Sequence, residues 1–386
     1  MNKSIVLITN ILTPYRTHFF DLFHQECKKH NISFSVLVSS ETEDNRNWTY
    51  KQFARDYTTL LDGNRFKLVN YEFTFNLGLR SFLKDKKPDI IIGAGGYNLP
   101  IIWQAIFLKK KFRYKLLFWS ESHLKEIKHT NKLFLYLRGI IRNVIYKKFD
   151  GFCYAGQLSL DFVKKYSKSN TRLLFLPNLI DNNKFKKVTN ISLRQKSIIK
   201  GKYNIPKDKF LFICPARLTK VKGIDRFLEI FNQSSNKDDA YILIPGDGED
   251  KALIESIILK YNLNVKLLGY KNEIEMIELY CISDAFLMPS LSDPNPLTSI
   301  EAVWCGLPLI VSEHVGNYPE VIVNDQNGYV FNYREDKLAK SYIDKLIISN
   351  PSWIKNAKKT SLAIAEEKYN SLLTTERLVL ELKNLK

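Results

Sequence analysis

The sequence is short of the residues that build covalent or metal frameworks. Its five cysteines (Cys27, Cys153, Cys214, Cys281 and Cys305) are odd in number, scattered and never spaced CxxC. A disulfide scaffold or zinc site is not expected, and a reducing compartment fits this usage. A secretory leader is not expected either: MNKSIVLITN has one lysine, and its apolar run stops at Thr9 and Asn10. Ile5 to Ile8 read instead as a first buried strand. Ile90 to Leu108 runs nineteen residues without a charge, but Gly93, Gly95, Gly96, Asn98, Pro100 and Gln104 interrupt it. Strand, glycine loop and helix suit it better than a transmembrane span. No short internal repeat is visible. His24, His30, His129 and His314 have no evident partners in the sequence.

Acidic residues are scarce on one side only. The chain of 386 residues carries a formal charge of +18, from 58 Lys plus Arg and 40 Asp plus Glu. Residues 1–186 hold 31 basic and 15 acidic side chains, a net +16, whereas residues 187–386 hold 27 and 25. A uniform lysine-rich composition would charge both halves alike. The first half is therefore expected to present a positive field to a polyanion or an anionic membrane surface. With 45% hydrophobic residues, the chain can bury the cores of two ordinary domains.

Apolar runs alternate with helical stretches throughout. SIVLIT, SFSVLVS, DIIIGAG, KLLFWS, GFCYAG and RLLFLPN precede FLFICPAR, AYILIPGDG, VKLLG, DAFLMPS, LPLIVS and GYVF. Such alternation predicts an α/β fold of parallel sheets covered on both faces, in two Rossmann-like domains. The expected divisions are an N-terminal domain over 1–186, a C-terminal domain over 187–352, and a helical segment over 353–386 packing back toward the N-terminal domain. The polar stretch Asp181 to Asn204 reads as a linker.

Ligands of open α/β sheets bind beyond the carboxyl ends of the strands. Arg217 and Lys222 follow FLFICPA, and a guanidinium with an ammonium suits a diphosphate, although solvated loop charges are the commoner fate. After DAFLMPS, Pro294 and Pro296 belong to a helix start rather than an interior, and Leu297 to Cys305 reads as a helix stopped by Gly306 and Pro308. Its open N-terminus is a ready anion site. Asp293 before it and Glu301 within it can face one crevice; alternatively, Asp293 caps the helix and Glu301 is a surface acid. Without a histidine beside them, a metal site is weak. Gly246-Asp247-Gly248 and Gly93-Ala94-Gly95-Gly96 are short glycine turns, structural more often than phosphate-binding. In the first half, Thr13-Pro14-Tyr15-Arg16-Thr17-His18 and Ser120-Glu121-Ser122-His123 lie at strand exits. Glu121 and His123 are therefore candidate active-site groups.

One further pattern is basic and aromatic. Lys109, Lys110, Lys111, Arg113 and Lys115 interleave with Phe112 and Tyr114, and NKLFLYLRGIIRNVIYKKF spans 131–149. Positions 134, 137, 141, 144, 145 and 148 trace a mostly apolar helical face. That face suits a helix against its own core, or one at a membrane interface. No nucleic-acid recognition motif accompanies the charge.

PARLTKVKGIDRFLE, ILIPGDGED, VKLLGY and DAFLMPSLSDPNPLTSIEAVWCGLPLIVSEHVGNYPEVI follow one another over roughly 210–332. This ordered set resembles the retaining family-4 glycosyltransferases of the GT-B fold, the group 1 glycosyl transferases. LPNLID (176–181) is similar to the family's Pro-Asn-Gly-Val-Asp turn, with Leu179 in place of Gly. The resemblance implies two Rossmann-like domains facing a central cleft, the second holding a nucleotide-sugar and the first an acceptor. It places Arg217 and Lys222 on the donor diphosphate, Glu301 on the ribose, Asp293 on the donor sugar, and Asn295, Leu297 and Thr298 on the loop that meets sugar and phosphate. Tyr270 falls where the nucleobase packs. Asp293 departs from the family's Glu by one methylene, and TPYRTH stands where many relatives have a Gly-Gly loop. Tyr15, Arg16, His18, Gly95 and Gly96 then belong to the acceptor side, and either His123 or Glu121 matches an active-site group.

The implied reaction is glycosyl transfer with retention and without a metal or other cofactor, from a UDP- or GDP-linked sugar. The positive first half adds an expected lipid-linked glycan acceptor in lipopolysaccharide or capsule assembly, and peripheral attachment to the inner face of the cytoplasmic membrane, with no nucleic acid partner. The alternatives are a nucleotide-sugar epimerase on the same scaffold and a non-catalytic glycan- or polyanion-binding module.

Overall fold

The structure, a computed structural model, describes residues 3–43, 49–68, 71–125, 132–186 and 191–385. His129 and Asn131 of the sequence reading lie outside them. The chain forms two units. One comprises 1–122, 129–179 and 371–386; the other comprises 123–128 and 180–370.

In the first unit β1 (Ser4–Thr9), β2 (Ser33–Val38), β3 (Thr58–Leu60), β6 (Ile90–Ala94), β7 (Lys115–Ser120), β8 (Gly151–Tyr154) and β9 (Arg172–Phe175) form a sheet, while β4 (Gly63–Leu68) and β5 (Tyr71–Asn76) pair as an antiparallel hairpin. The seven-stranded sheet is parallel in the order β3-β2-β1-β6-β7-β8-β9. Successive side chains of a strand point to opposite faces, and β1 divides accordingly. Ile5 and Leu7 join one buried cluster, and Val6 and Ile8 join the other. Both faces are covered, so the strand reads as an unbroken apolar run.

The second unit repeats this plan with β10 (Phe210–Ile213), β11 (Ala240–Pro245), β12 (Val265–Gly269), β13 (Ala285–Met288), β14 (Leu309–Ser312) and β15 (Gly328–Phe331). Its parallel order is β12-β11-β10-β13-β14-β15. Leu211 and Ile213 face one core, and Phe212 faces the other. All twelve apolar runs of the sequence became strands. The three strands missed, β3, β4 and β5, are short or carry polar residues at alternate positions.

The uncharged stretch from Ile90 forms β6, a glycine turn and the helix Pro100–Phe112. No helix among the described residues is long and apolar enough to cross a membrane. The polar stretch read as a linker is instead partly helical, over Asn182–Lys186 and Leu193–Lys202. Ser192 caps the second helix through Gln195, and Ile199, Tyr203 and Ile205 pack on the core of the second unit. Few apolar residues among many lysines hid that packing.

The C-terminal segment divides into two helices. Pro351–Lys368 lies on the second unit, through Ile364 and Ala365. Ser371–Lys383 belongs to the first unit and packs Leu378, Val379 and Leu382 against the β1 face. Its last carbonyls are met from β1's approach: Lys3 Nζ donates to Leu382 O, Lys383 O and Leu385 O at 3.0, 2.8 and 2.8 Å. A cation on orphan carbonyls at a helix C-terminus is favoured by both hydrogen bonding and the helix dipole. Lys3→Met is expected to destabilise the first unit by about 1–2 kcal/mol, read as a lower urea midpoint for that unit's transition.

Candidate functional site

Four strand exits of the second unit meet at one cleft of about 370 Å³. The chain leaving β10 lies on the chain leaving β11: Ala216 N donates to Pro245 O at 3.1 Å, and Leu218 N to Asp247 O at 3.0 Å. Gly246 sits at φ +142°, where a Cβ would strike the Ala216 carbonyl. The glycine turn is therefore structural, as short glycine turns usually are, and its work is to hold the exposed Arg217 at the cleft wall.

Lys222 is placed by the next turn. Lys220–Lys222 is a short 3-10 turn ended by Gly223 at φ +63°, and the helix Ile224–Asn232 follows. The buried Tyr333 hydroxyl lies 3.1 Å from Gly223 O and donates to Pro289 O, while Leu291 N donates to Val221 O at 2.8 Å. These contacts bring the β10 and β13 exits together, and the Lys222 ammonium donates directly to Asp293 Oδ2. Both side chains are only 15% and 13% exposed, so water screens the pair poorly. Asp293 is thus the partner of Lys222 and not a helix cap.

The helix expected after Asp293 runs from Leu297 to Trp304, with Pro296 at its N-cap and no side chain capping it. Leu297 and Thr298 line the cleft, and Thr298 Oγ1 is buried without a hydrogen-bond partner among the described residues. Asn295 is buried behind the loop. Glu301 also lines the cleft and accepts from Tyr280 Oη at 2.7 Å. Burial pushes the Glu301 carboxyl up to about 7, and the Tyr280 hydroxyl works against that rise. Glu301 is therefore no ordinary surface acid. Tyr270, at the exit of β12, is 77% exposed and closes the list of expected residues on this wall. Sequence reasoning missed Lys271, Met276 and Tyr280, which sit on or beside the helix Glu273–Ile282 where no motif marks them.

In the first unit, Tyr15, Arg16, Gly95 and Gly96 line a second pocket of about 200 Å³ at the exits of β1 and β6. Thr13, from the same strand exit, completes its polar wall together with Asn10 and Glu43, which were not anticipated. Arg16 donates to Thr9 Oγ1 at 3.0 Å, lies 3.5 Å from Glu121 and packs over the Trp119 ring at 5.3 Å. His18 is one turn along the same helix and outside this lining. Glu121 and His123, two residues apart, go to different units. His123 is 1% exposed and packs in the second unit, where a Cβ on Gly316 would lie 2.9 Å from its ring and against Pro294 O. Lys125 anchors that segment: its ammonium donates to Tyr318 Oη at 2.9 Å, and its carbonyl accepts from His314 Nδ1 at 2.6 Å. His30 pairs with Glu26, and His24 lies against the Tyr57 ring. Among the described residues, no cluster of His, Cys, Asp and Glu has the grouping of a metal site.

The Glu301 titration can be checked directly. A carboxyl-labelled protein should show Glu301 losing its proton near pH 7. Tyr280→Phe removes a donor that favours the charged form, so the midpoint should move further up; a midpoint in the usual carboxylate range would contradict this geometry.

Residues 195–360 match the sequence profile described as glycosyl transferases group 1. The chain is 31% identical over 227 residues to the alpha-monoglucosyldiacylglycerol synthase of Acholeplasma laidlawii, covering 57% of this chain and 56% of that relative. It thus spans little more than half of that relative's length. In three dimensions it is similar to HepE of Anabaena in complex with UDP and glucose, with a TM-score of 0.74, 14% identity and 100% of both chains covered. It is also similar to WaaG, a glycosyltransferase involved in lipopolysaccharide biosynthesis, with a TM-score of 0.68, 14% identity, and 99% and 100% coverage. With the four ordered motifs, residues 195–360 match the group 1 glycosyl transferases, and the two parallel-sheet units have the GT-B fold of these solved structures.

Proposed function

We propose that this protein moves a sugar from a UDP- or GDP-linked donor, with retention and without a metal ion, to a lipid-linked glycan during assembly of a surface polysaccharide such as lipopolysaccharide or capsule. The observation that carries the donor half is the convergence of Arg217, Lys222, the uncapped helix at Leu297 and Glu301 on one cleft. As the anomeric bond breaks, negative charge grows on the leaving diphosphate. Arg217, Lys222 and the free N–H groups at Leu297 and Thr298 are donors already oriented toward that charge. The Glu301 carboxylate accepts from ribose hydroxyls, Tyr270 offers its ring to the base, and Asp293 faces the sugar. A diphosphate oxygen takes the proton of the attacking acceptor hydroxyl, so no protein nucleophile is required.

The acceptor half rests on charge and on the names of relatives. One is named for making a glucosyl diacylglycerol and another for lipopolysaccharide biosynthesis. The net +16 of residues 1–186 favours the inner, anionic face of the cytoplasmic membrane as the place of work. The pocket around Arg16 offsets its cation with Glu43 and Glu121, which suits hydroxyl groups of a sugar better than a bare phosphate. His123, beside the Pro294 loop, is the active-site candidate on the donor side, and Glu121, beside Arg16, the candidate on the acceptor side.

The first test is thermal stabilisation by a panel of nucleotide-sugars. A true donor at a hundredfold excess over its Kd should add about 2.7 kcal/mol. Arg217→Ala and Lys222→Ala should each lower turnover with that donor by roughly 10²- to 10³-fold; an unchanged rate would remove them from the mechanism. Asp293 supplies a sharper test. Its carboxylate accepts from Lys222, so a diphosphate would compete with it for that ammonium. Asp293→Asn should bind the free nucleoside diphosphate about tenfold tighter, roughly 1.4 kcal/mol, while transferring sugar more slowly. Weaker nucleoside diphosphate binding by isothermal titration would contradict the competition.

A further inference from the structure

The helix Lys132–Tyr146 turns its apolar stripe away from the core. Leu137, Ile140, Ile141 and Val144 recur at helical spacing and are 50%, 46%, 49% and 56% exposed. The core side of the same helix is Arg142, Ile145 and Tyr146, with the Arg142 guanidinium stacked 5.0 Å from the Phe162 ring. Of the two readings of this face, packing on the helix's own core holds for Ile145 alone among the described side chains; Leu137, Ile141, Val144 and Lys148 are exposed, because Arg142 and Tyr146 take the core side. Position 134 lies outside the described side chains.

A neighbouring helix extends the surface. Pro100–Phe112 exposes Trp103 and Phe107, whose rings are 6.2 Å apart. Both helices pack on the same face of the seven-stranded sheet, through Ile101, Ile102 and Ala105 and through Ile145 and Tyr146. They are tied at both ends. Arg138 Nε donates to Tyr97 Oη at 3.3 Å, and Lys109 Nζ donates to Lys148 O at 2.9 Å and Asp150 Oδ1 at 2.7 Å. Their outward sides consequently look the same way. Six large apolar side chains on adjacent helices exceed the isolated exposures normal for a soluble surface.

Charge identifies what covers them. Neither helix has an acidic residue, and Pro100 to Phe149 holds twelve basic residues against Glu121 and Glu126. A second copy would set cations against cations. A nucleic acid would meet the charge but leave four aliphatic side chains against phosphate and water. An anionic bilayer answers both, with headgroup phosphates for Lys110, Lys111 and Lys147 and acyl chains for the stripe between. We infer that the outward face of Lys132–Tyr146, with Trp103 and Phe107 beside it, is the surface by which this protein lies on an anionic lipid bilayer. This deepens the membrane attachment proposed above and rests on that reading.

The test uses the full chain and vesicles of phosphatidylethanolamine with phosphatidylglycerol, against vesicles of phosphatidylcholine. The wild type should sediment with the anionic vesicles and not with the neutral ones. Ile140→Glu with Val144→Glu should weaken this binding by about tenfold or more, and Ile140→Ser with Val144→Ser should weaken it less. Both variants should keep the wild-type melting temperature and the wild-type response to nucleotide-sugars. Undiminished vesicle binding by both variants overturns the inference. So does failure of the wild type to bind anionic vesicles, or a wild-type dimer that the substitutions dissociate. Vesicle binding without any nucleotide-sugar response leaves the inference standing and removes the donor reading instead.

Discussion

Parallel strand pairing is the constraint on which the rest depends. A parallel strand must return by a crossover, so every strand of a sheet leaves at the same edge. In the second unit this gathers the exits of β10, β11, β12 and β13 without any long-range polar design. Close packing of those exits then needs residues that occupy little space or permit unusual backbone, which is what Gly246 and Gly223 supply. The chemistry of the cleft follows from sheet topology first and from side-chain identity second.

Side-chain identity decides how the cleft is charged. Lys222 and Asp293 neutralise each other, which lets two poorly solvated groups coexist. Glu301 accepts from the Tyr280 hydroxyl and has no ion pair among the described residues, so burial dominates its titration. The two acids of the SDPNPLTSIE stretch therefore have unlike environments. One accepts from Lys222, and the other is pushed up to about 7 by burial. The methylene that separates Asp from Glu at position 293 sets the reach of the ion pair.

Much of this was legible in the sequence because apolar runs report sheet cores faithfully. Ile5 to Ile8 and Phe210 to Ile213 alternate between two buried faces, so both patterns stay apolar throughout. The donor-side residues were legible because they sit on strand exits and in ordered motifs. Tyr280 was not, since a tyrosine at the end of a helix carries no mark of the carboxylate it will meet. Asn10 and Glu43 were hidden because a pocket formed by residues 33 positions apart has no local signature. The stripe of Leu137, Ile140, Ile141 and Val144 was legible as a helix face but not as an exposed one. Periodicity gives the face; only the positions of Arg142 and Tyr146 decide which way it turns.

The hold of Lys3 on the helix Ser371–Lys383 has a consequence for assembly. Strand β1 is covered by the helix Ser371–Lys383, and the second unit lies between them in the sequence. The first unit is thus discontinuous, completed around an inserted neighbour. During synthesis the second can close its core once Asn370 has emerged, whereas the Leu7, Phe19 and Phe23 face of the first stays uncovered until Ser371–Lys383 follows. That waiting surface is the part of the molecule most in need of chaperone cover.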